Sequence, residues 1–323
     1  MKVALLINRG NFEKYSNWTD AGWEITHFGN IDPDMDKVTA SGAEAMVVDP
    51  MIKIGPEIIS KMPKLKIMIS HGVAYNNFDL ASAKATGVYV CNNAGVNAQP
   101  VAEQTLLLIL ALLKKFRYHE DMVYAGRQME FKMSCFENGL TELGELKVGI
   151  VGYGAIGKAL ISIMRPFGCG LCYYTRSGDH GVEGAEYVPL TELYGCCDIV
   201  SLCLPVTPET EGMINADTLK MFKRGAILIN TARGDLINNE DVAAALNSGQ
   251  LGGFGADTIA PSPVQADNPL LVGLTEESRR RVAFSPHIGG STKGCFTRVY
   301  KRIGANIKAI ENGQRPDCIV NQL

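Results

Sequence analysis

Short apolar runs alternate with polar, helix-forming segments through the first 97 residues of the chain. The apolar runs span residues 3–7, 45–48, 67–70 and 88–91, and residues 56–61 form a helical segment between two of them. Alternation of strands with helices is typical of a parallel sheet covered by helices. The pattern therefore predicts an α/β domain in this part of the chain.

A second, longer series of the same kind begins at Lys147. Its predicted strands are residues 148–151, 171–174, 199–204, 226–230, 253–256 and 282–284, with helices such as 215–222 and 239–248 between them. A chain of 323 residues is longer than one hydrophobic core usually organises. We expect a domain of residues 98–295 and a discontinuous domain of residues 1–97 plus 296–323, to which a final helix over 297–311 returns.

A long helix is predicted where the two series meet. Asn97 is a suitable capping residue, and Pro100 suits the first turn of a helix. The segment 101–116 is apolar nearly all round, which is typical of a buried helix. We expect this helix to lie between domains or between subunits.

Composition narrows the class of protein. Apolar residues make up 46% of the chain, charged residues 20%, and the net charge is −3, so no electrostatic argument favours nucleic acid or an anionic membrane as a partner. The apolar run 106–113 is too short to span a bilayer. Residues 1–7 read as a first strand instead of a secretory leader, and nine scattered cysteines suit a reducing cytoplasm. We expect no metal site and no redox pair among those cysteines.

A glycine motif identifies the second series as a candidate dinucleotide-binding domain. Gly152, Gly154 and Gly157 follow a predicted strand directly and precede a helical segment. Strand, glycine turn and helix N-terminus together bind a pyrophosphate, with the intervening Ala155 and Ile156 in the turn. The alternative is a plain packing turn.

The turn after the second strand of this series bears on the choice of dinucleotide. An NAD-binding chain usually carries Asp or Glu there to bind the ribose 2′-hydroxyl. This chain has Thr175, Arg176 and Ser177 instead. Arg pairs well with phosphate oxygens, so we expect NADP (NADPH) to be preferred, with NAD possible. The alternative is an exposed Arg on an ordinary turn.

With these blocks in place, the whole chain resembles the D-isomer-specific 2-hydroxyacid dehydrogenases, in particular the glyoxylate and hydroxypyruvate reductases. The matching blocks are residues 72–79, 93–97, 101–103, 152–157, 198–210, 229–234 and 285–290. The resemblance implies a Rossmann-type doubly wound domain and a flavodoxin-like α/β substrate domain. It also implies hydride transfer between a nicotinamide and C2 of a small 2-oxo or 2-hydroxy acid, by a homodimer built around the long helix.

Two residues are the candidate catalytic groups. Arg233 follows a predicted strand at the sheet edge where α/β proteins bind ligands, and its planar fork matches a carboxylate. His287 follows another strand and can exchange a proton with the substrate oxygen. By resemblance they are the catalytic pair; otherwise Arg233 bonds its own loop and His287 is a buried, hydrogen-bonded histidine. His27, His119 and His180 lack such context, and we expect surface or filler roles for them.

The same resemblance assigns substrate contacts to the first domain. The backbone N–H groups of Gly72, Val73 and Ala74 are expected to bind the substrate carboxylate, although Ala74 stands where many members have Gly. His71 either touches substrate or caps the strand end. Met51 is expected to help wall the pocket for the substrate side chain.

The resemblance also extends the cofactor site beyond the glycine motif. It places Pro205 and Thr210 near the adenosine, and Thr231 and Asp257 near the nicotinamide, where Asp257 would accept a hydrogen bond from the carboxamide. The remaining expected cofactor contacts are Thr105, Ala232 and Gly289.

One departure from the family pattern concerns proton transfer. Ser262 stands where the family has a glutamate that bonds the catalytic histidine and raises its pKa. A hydroxyl can orient an imidazole but supplies no negative charge. An active reductase is therefore the main hypothesis. The alternatives are a catalytically weak dinucleotide-sensing or scaffold protein, and a hydride transfer that needs no proton relay.

Overall fold

The computed structural model describes residues 1–18 and 21–323, which form two compact units. Unit 1 consists of Met1–Val96 and Ser291–Leu323, and unit 2 consists of Asn97–Gly290. The divisions lie between residues 96 and 97 and between residues 290 and 291, whereas the sequence placed them at 97/98 and 295/296.

Unit 1 contains a five-stranded parallel sheet. Its strands are β1 (Lys2–Leu6), β2 (Glu24–His27), β3 (Ala45–Val48), β4 (Ile67–Ser70) and β5 (Tyr89–Cys91). They are arranged in the order β2-β1-β3-β4-β5, the flavodoxin-like order. The sequence did not predict β2, because this edge strand alternates exposed and half-buried residues and carries no apolar run. The predicted fold of this unit is confirmed.

Short helices connect these strands. They are α1 (Arg9–Tyr15), α2 (Met35–Ala40), α3 (Pro56–Ser60) and α4 (Leu80–Ala85). Asn8, Asp34 and Asp79 cap three of them, each accepting a hydrogen bond from a backbone N–H in the first turn. Such caps satisfy donors that the helix itself leaves free. They fix the points at which the chain leaves the sheet edge.

Unit 2 contains a seven-stranded parallel sheet. Its strands are β6 (Lys147–Val151), β7 (Gly170–Tyr174), β8 (Glu186–Tyr187), β9 (Ile199–Leu202), β10 (Ala226–Asn230), β11 (Leu251–Ala256) and β12 (Val282–Phe284). The order is β12-β11-β10-β9-β6-β7-β8, so strand order reverses between β6 and β9. Ligands of open α/β sheets bind at such a switch point. The predicted Rossmann-type sheet is confirmed.

The helices of unit 2 begin with α5, the helix predicted at the junction. They are α5 (Ala98–Leu113), α6 (Phe116–Tyr124), α7 (Gln128–Asn138), α8 (Ala155–Met164), α9 (Leu190–Cys196), α10 (Ala216–Met221), α11 (Asn239–Asn247), α12 (Pro269–Val272) and α13 (Glu276–Arg279). Two expectations for α5 were wrong. Its N-cap Asn97 makes no side-chain capping bond, and the helix ends before Phe116 because Lys115 takes a left-handed backbone conformation, φ 51°, that starts α6 in a new direction.

The last helix, α14 (Lys293–Glu311), belongs to unit 1. It begins four residues before the predicted start because Thr292 caps it, accepting a hydrogen bond from the Cys295 N–H. Its buried face includes Val299, Tyr300 and Ile303, which pack in one core with β1, β3 and β4. No helix within residues 1–18 and 21–323 is both long and apolar enough to cross a membrane.

Candidate active site

The glycine turn at the β6–α8 junction has the shape of a pyrophosphate cradle. Gly152 has φ +111°, and a Cβ there would lie 2.3 Å from the Cys203 carbonyl oxygen. A Cβ on Gly157 would lie 2.1 Å from the Gly152 carbonyl oxygen, whereas a Cβ on Gly154 would meet no atom within 4 Å. Among the described residues, no side chain caps α8, which starts with Ala155 and Ile156. The first N–H groups of α8 thus have no side-chain cap and the space beside Gly154 is open, so these residues fit a dinucleotide.

The turn after β7 brings together the residues predicted to recognise the ribose. The Thr175 Oγ1 lies 3.4 Å from the Ser177 Oγ, and Arg176 is exposed. The sequence predicts a turn without a carboxylate nearby, but the Glu209 carboxylate interacts with it. The pKa of Glu209 is lowered mainly because the Thr207 hydroxyl donates a hydrogen bond to its carboxylate, and the positive charge of Arg176 lowers it further. Arg176 therefore lies within electrostatic reach of a carboxylate from the loop after β9.

Hydrogen bonds to the Thr210 hydroxyl organise the loop after β9. The Oγ1 donates to the Pro205 carbonyl oxygen at 2.9 Å and accepts from the Thr207 N–H at 2.7 Å. Both predicted adenosine contacts thus belong to one tight turn at the carboxyl end of β9. In this structure the Thr210 side chain shapes the loop.

Arg233 lies on a loop that Asn230, the last residue of β10, holds in place. The Asn230 side chain donates to the Arg233 carbonyl oxygen at 2.8 Å and accepts from the Ala232 N–H at 3.1 Å. The Arg233 side chain is half-buried and donates one bond to the Ala232 carbonyl oxygen at 2.7 Å. The guanidinium has five N–H donors, so this local bond leaves donors for a carboxylate.

Asp257 holds the loop that carries His287. It is 3% exposed and accepts hydrogen bonds from the Ser285 Oγ at 2.5 Å and from the N–H groups of Ile288 at 3.0 Å and Gly289 at 2.8 Å. His287 has φ 57°, a conformation that a non-glycine residue adopts only when its surroundings impose it. The bonds to Asp257 on either side of His287 impose it.

The electrostatics of His287 follow from its neighbours. Burial lowers the pKa of His287, the positive charge of Arg233 lowers it further, and the Asp257 carboxylate opposes both. The residue as a whole is exposed, so desolvation acts on part of the ring. Because Arg233 acts on the His287 charge, the structure brings the two predicted catalytic groups within electrostatic reach at the carboxyl edge of one sheet.

Ser262 does not pair with His287. It is exposed, and within residues 1–18 and 21–323 the structure gives its hydroxyl no hydrogen-bond partner. The loop at residues 260–263 packs against Gly234, where a Cβ would lie 2.1 Å from the Ala260 nitrogen, and Asn239 and Asn268 both donate to the Ala260 carbonyl oxygen. Ser262, which stands at the position of the family glutamate, therefore gives His287 no hydrogen-bond partner from this loop.

Thr105 and Thr231 are buried together. Thr105 is fully buried and Thr231 is 5% exposed. Their hydroxyl oxygens are 2.7 Å apart, and the Thr105 Oγ1 also donates to the Val101 carbonyl oxygen. The pair joins α5 to the loop after β10. A cofactor contact from Thr105 would have to pass through Thr231.

In unit 1, the loop after β4 presents backbone donors. The Gly72 carbonyl oxygen accepts from the Asn93 N–H at 2.9 Å, and the Val73 carbonyl oxygen accepts from the Asn92 Nδ2 at 2.9 Å. The Ser70 Oγ bonds the Ala74 carbonyl oxygen and the Gly72 N–H. In the described part of unit 1, no acceptor meets the N–H of Val73 or Ala74. The loop fits an anionic ligand such as a carboxylate.

His71 and Met51 flank this loop in different ways. Burial lowers the pKa of His71 to about 4, so at neutral pH its ring carries no charge and cannot act as the cation for a carboxylate. The ring packs on Tyr300, with ring centroids 5.1 Å apart. Met51 is 78% exposed, and its N–H donates to Asp49 Oδ1 at 3.0 Å. Its side chain is free to line a pocket.

Several groups that shape the site escaped the sequence analysis. Asn230 organises the loop that carries Arg233, and the Gln104 side chain donates to the Ser285 Oγ at 2.9 Å. A polar residue ending a buried strand was the available signal for Asn230. No signal pointed to His180, whose Nε2 lies 2.7 Å from the Ser177 Oγ.

Comparison with known proteins agrees with this geometry. The family model described as "D-isomer specific 2-hydroxyacid dehydrogenase, NAD binding domain" matches residues 106–289. The chain belongs to the D-isomer specific 2-hydroxyacid dehydrogenase family. As a member, it is an NAD(P)-dependent oxidoreductase of 2-hydroxy acids.

Relatives in this family match nearly the whole chain. A glyoxylate reductase of Thermococcus onnurineus is 32% identical over 93% of this chain and 89% of its own length. A hydroxypyruvate reductase of Blautia hydrogenotrophica is 29% identical over 90% of this chain and 89% of its own. The NAD-complexed D-isomer specific 2-hydroxyacid dehydrogenase of Lactobacillus delbrueckii ssp. bulgaricus superposes with a TM-score of 0.81, at 23% identity over 99% of this chain and 100% of that one, which supports the fold.

Proposed function

We propose that this protein reduces small 2-oxo acids to D-2-hydroxy acids, with unit 2 binding the dinucleotide and unit 1 contributing the substrate loop. The observation that carries the proposal is the position of Arg233 and His287, which follow β10 and β12 at the carboxyl edge of the unit 2 sheet, with the arginine charge contributing to the lowered pKa of the histidine. A cation for a carboxylate beside a proton donor for a ketone oxygen is the equipment that this reduction needs.

Each proposed role follows from the local geometry. Arg233 binds the substrate carboxylate through its free N–H donors, and its charge also polarises the adjacent ketone oxygen. His287 gives the proton to that oxygen in reduction and takes it back in oxidation. Asp257 keeps His287 in place through the loop backbone. The nicotinamide, when bound, supplies the hydride.

The substrate class is narrowed by the relatives, which are named for glyoxylate and hydroxypyruvate. We infer that this protein acts on 2-oxo acids of that size. The test is a set of kcat/KM values for glyoxylate, hydroxypyruvate, pyruvate and a branched 2-oxo acid with one cofactor. A preference for the first two supports the proposal, and equal or higher kcat/KM for the branched acid contradicts it.

The preferred cofactor is proposed to be NADPH. Arg176 is exposed and stands beside the hydroxyls of Thr175 and Ser177, a donor set suited to a 2′-phosphate. Arg176→Ala should raise the KM for NADPH by about three- to thirtyfold, the range for an exposed to a partly desolvated charged contact. The KM for NADH should stay nearly constant. Equal KM values for the two cofactors in the unaltered protein would exclude the preference.

A second candidate function is a dinucleotide-sensing protein with residual catalysis. Ser262 favours it, because this residue is exposed and leaves His287 without a bonded carboxylate. The two candidates differ in rate. Tight cofactor binding together with negligible turnover of every 2-oxo acid between pH 5.5 and 8.5 would favour the sensor, and turnover that recovers at low pH favours the reductase.

A homodimer is proposed from an exposed apolar surface on α6 and α7. Its large side chains are 51–84% exposed in the single chain, and large apolar side chains exposed together on consecutive helices are typical of an interaction surface. They are Phe116, Val123, Tyr124, Met129, Met133 and Phe136. We propose a second copy of this chain as the partner.

All nine cysteines are free thiols, which supports the expected cytoplasmic location.

A further inference from the structure

Residues 175–177, the turn after β7, are called the ribose turn, and the loop that follows it is fixed by a buried tyrosine. Tyr173, the fourth residue of β7, is fully buried, and its hydroxyl donates to Asp179 Oδ1 at 2.5 Å and accepts from the His180 N–H at 2.7 Å. The same Asp179 oxygen accepts from the Gly181 N–H at 2.9 Å. These bonds hold His180 at a set distance from the strand end, although the residue itself is exposed.

His180 connects the two turns that would bind the dinucleotide. Its Nε2 lies 2.7 Å from the Ser177 Oγ, in the ribose turn. Its ring lies 5.6 Å, centroid to centroid, from the ring of Tyr153 in the glycine turn. The glycine turn follows β6 and the ribose turn follows β7, two adjacent parallel strands. The His180 imidazole therefore contacts both of the turns that are proposed to bind the dinucleotide.

The Ser177–His180 bond decides what Ser177 can offer a ligand. A serine hydroxyl has one hydrogen and two acceptor lone pairs. If Nε2 accepts that hydrogen, Ser177 presents lone pairs, which a 2′-phosphate dianion repels. If Nε2 carries a hydrogen and donates it, the hydroxyl hydrogen is free to bond a phosphate oxygen. A 2′-hydroxyl, by contrast, both donates and accepts, so it tolerates either arrangement.

We propose that His180 is a positioning residue that sets NADPH selectivity by holding the Ser177 hydroxyl as a hydrogen-bond donor toward the 2′-phosphate. The inference rests on the proposed preference for NADPH. In its protonated form the imidazole donates at Nε2 and adds a positive charge beside the 2′-phosphate, so protonation of this ring should raise the selectivity for NADPH. The titratable and charged groups packed around His180 are Asp179 on its own loop, Tyr173 of β7 and Tyr153 of the glycine turn. Lys158 of α8 lies over the Tyr153 ring, and Arg176, beside Ser177, is within electrostatic reach of Glu209.

The test measures equilibrium binding, which is separate from proton transfer at His287. Dissociation constants of NADPH and NADH are determined by fluorescence titration between pH 6 and 8.5 for the unaltered protein, His180→Ala and His180→Gln. The ratio Kd(NADH)/Kd(NADPH) reports the 2′-phosphate alone. That phosphate titrates near pH 6 itself, and His180→Ala retains this part of the pH response, so the difference between the two proteins isolates His180.

In His180→Ala the ratio should fall by about three- to tenfold at pH 6.5, the range for a mostly exposed charge-assisted contact, with Kd for NADH unchanged. His180→Gln, which keeps a neutral N–H donor, should recover part of the ratio without the histidine pH response. Tyr173→Phe, which removes the loop anchor but keeps the ring, should lower the ratio as His180→Ala does.

Three outcomes decide against the inference. A ratio near one in the unaltered protein overturns the cofactor preference and this inference with it. A high ratio that His180→Ala leaves unchanged at every pH overturns only the role of His180. A parallel loss of NADH and NADPH binding in His180→Ala and His180→Gln would indicate a structural role and would equally overturn it.

Discussion

The lowered pKa of His287 predicts an unusual pH dependence of reduction. The histidine must carry a proton when hydride reaches the ketone carbon. Burial first, and then the Arg233 charge, places its pKa below the ordinary 6.5, and Asp257 opposes this only in part. Reductive kcat/KM should therefore be highest at low pH and fall as pH rises through that lowered pKa.

The size of the fall follows from the protonated fraction. With the His287 pKa lowered by burial and by the Arg233 charge, the protonated fraction of this side chain falls close to tenfold for each pH unit above neutral. Reductive kcat/KM should thus drop close to tenfold per pH unit above pH 7. Oxidation of the D-2-hydroxy acid needs the neutral imidazole, so oxidative kcat/KM should rise through the same pKa and be level above pH 7.

Ser262 gives the matched pair of variants for this prediction. Ser262→Glu restores a carboxylate at the position of the family glutamate and should move the reductive fall to higher pH by up to about one pH unit, limited by solvent screening at this exposed position. Ser262→Gln has the same length without the charge and should keep the original profile.

The assay is kcat/KM for one good 2-oxo acid from pH 5.5 to 9 in both directions. Deuterated NADPH checks that hydride transfer limits the rate. A reductive profile that is flat up to pH 8.5 in the unaltered protein would refute the reasoning, since His287 would then not be the proton donor at its lowered pKa. Equal shifts in Ser262→Glu and Ser262→Gln would show that charge is not the cause.

Four further variants test three separate parts of the proposal. Arg233→Lys keeps the charge but loses the planar fork, so kcat/KM for every 2-oxo acid should fall more than about tenfold, or about 1.4 kcal/mol of transition-state stabilisation; near-full activity would exclude a carboxylate clamp. Gly154→Ala meets no protein atom and should keep the urea midpoint while weakening cofactor binding, whereas Gly157→Ala meets the Gly152 carbonyl oxygen and should lower stability by about 1–3 kcal/mol; the reverse pattern would contradict the cradle. Tyr124→Asp combined with Phe136→Asp should convert a dimer to a monomer in sedimentation velocity, and an unaltered protein that is already monomeric would exclude the dimer.

The sequence predicted the strands that carry continuous apolar runs, because both faces of a parallel sheet are covered and the pattern is strong. It missed β2 and β8, which lie at sheet edges and have few buried residues. It also extended α5 too far. Lys115 turns the chain through a left-handed conformation that neither glycine nor proline announces, so the apolar pattern continued past the true end of the helix.

For the candidate site, the sequence indicated which residues carry chemistry but not how the loops hold them. Arg233 and His287 were recognisable by type and position after strands. The bonds from Asp257 to the Ile288 and Gly289 N–H groups depend on the path of the backbone, which residue types alone do not specify. His180 was dismissed for the same reason: its bond to Ser177 exists only because Tyr173 and Asp179 fold the intervening turn.

Orientation and protonation of the histidine are supplied by different groups in this protein. Asp257 accepts hydrogen bonds from Ser285 and from the loop backbone, so it fixes the position of His287 through the loop and not through its ring. A glutamate at position 262 would supply the missing charge, and the exposed serine there does not. Loss of that glutamate should consequently leave the geometry of the site intact while changing the pH at which it reduces. On this argument Asp257→Asn should lower kcat/KM at every pH by loosening the loop, whereas Ser262→Glu should change mainly the pH dependence. If both variants changed only the pH dependence, the two functions would not be separate.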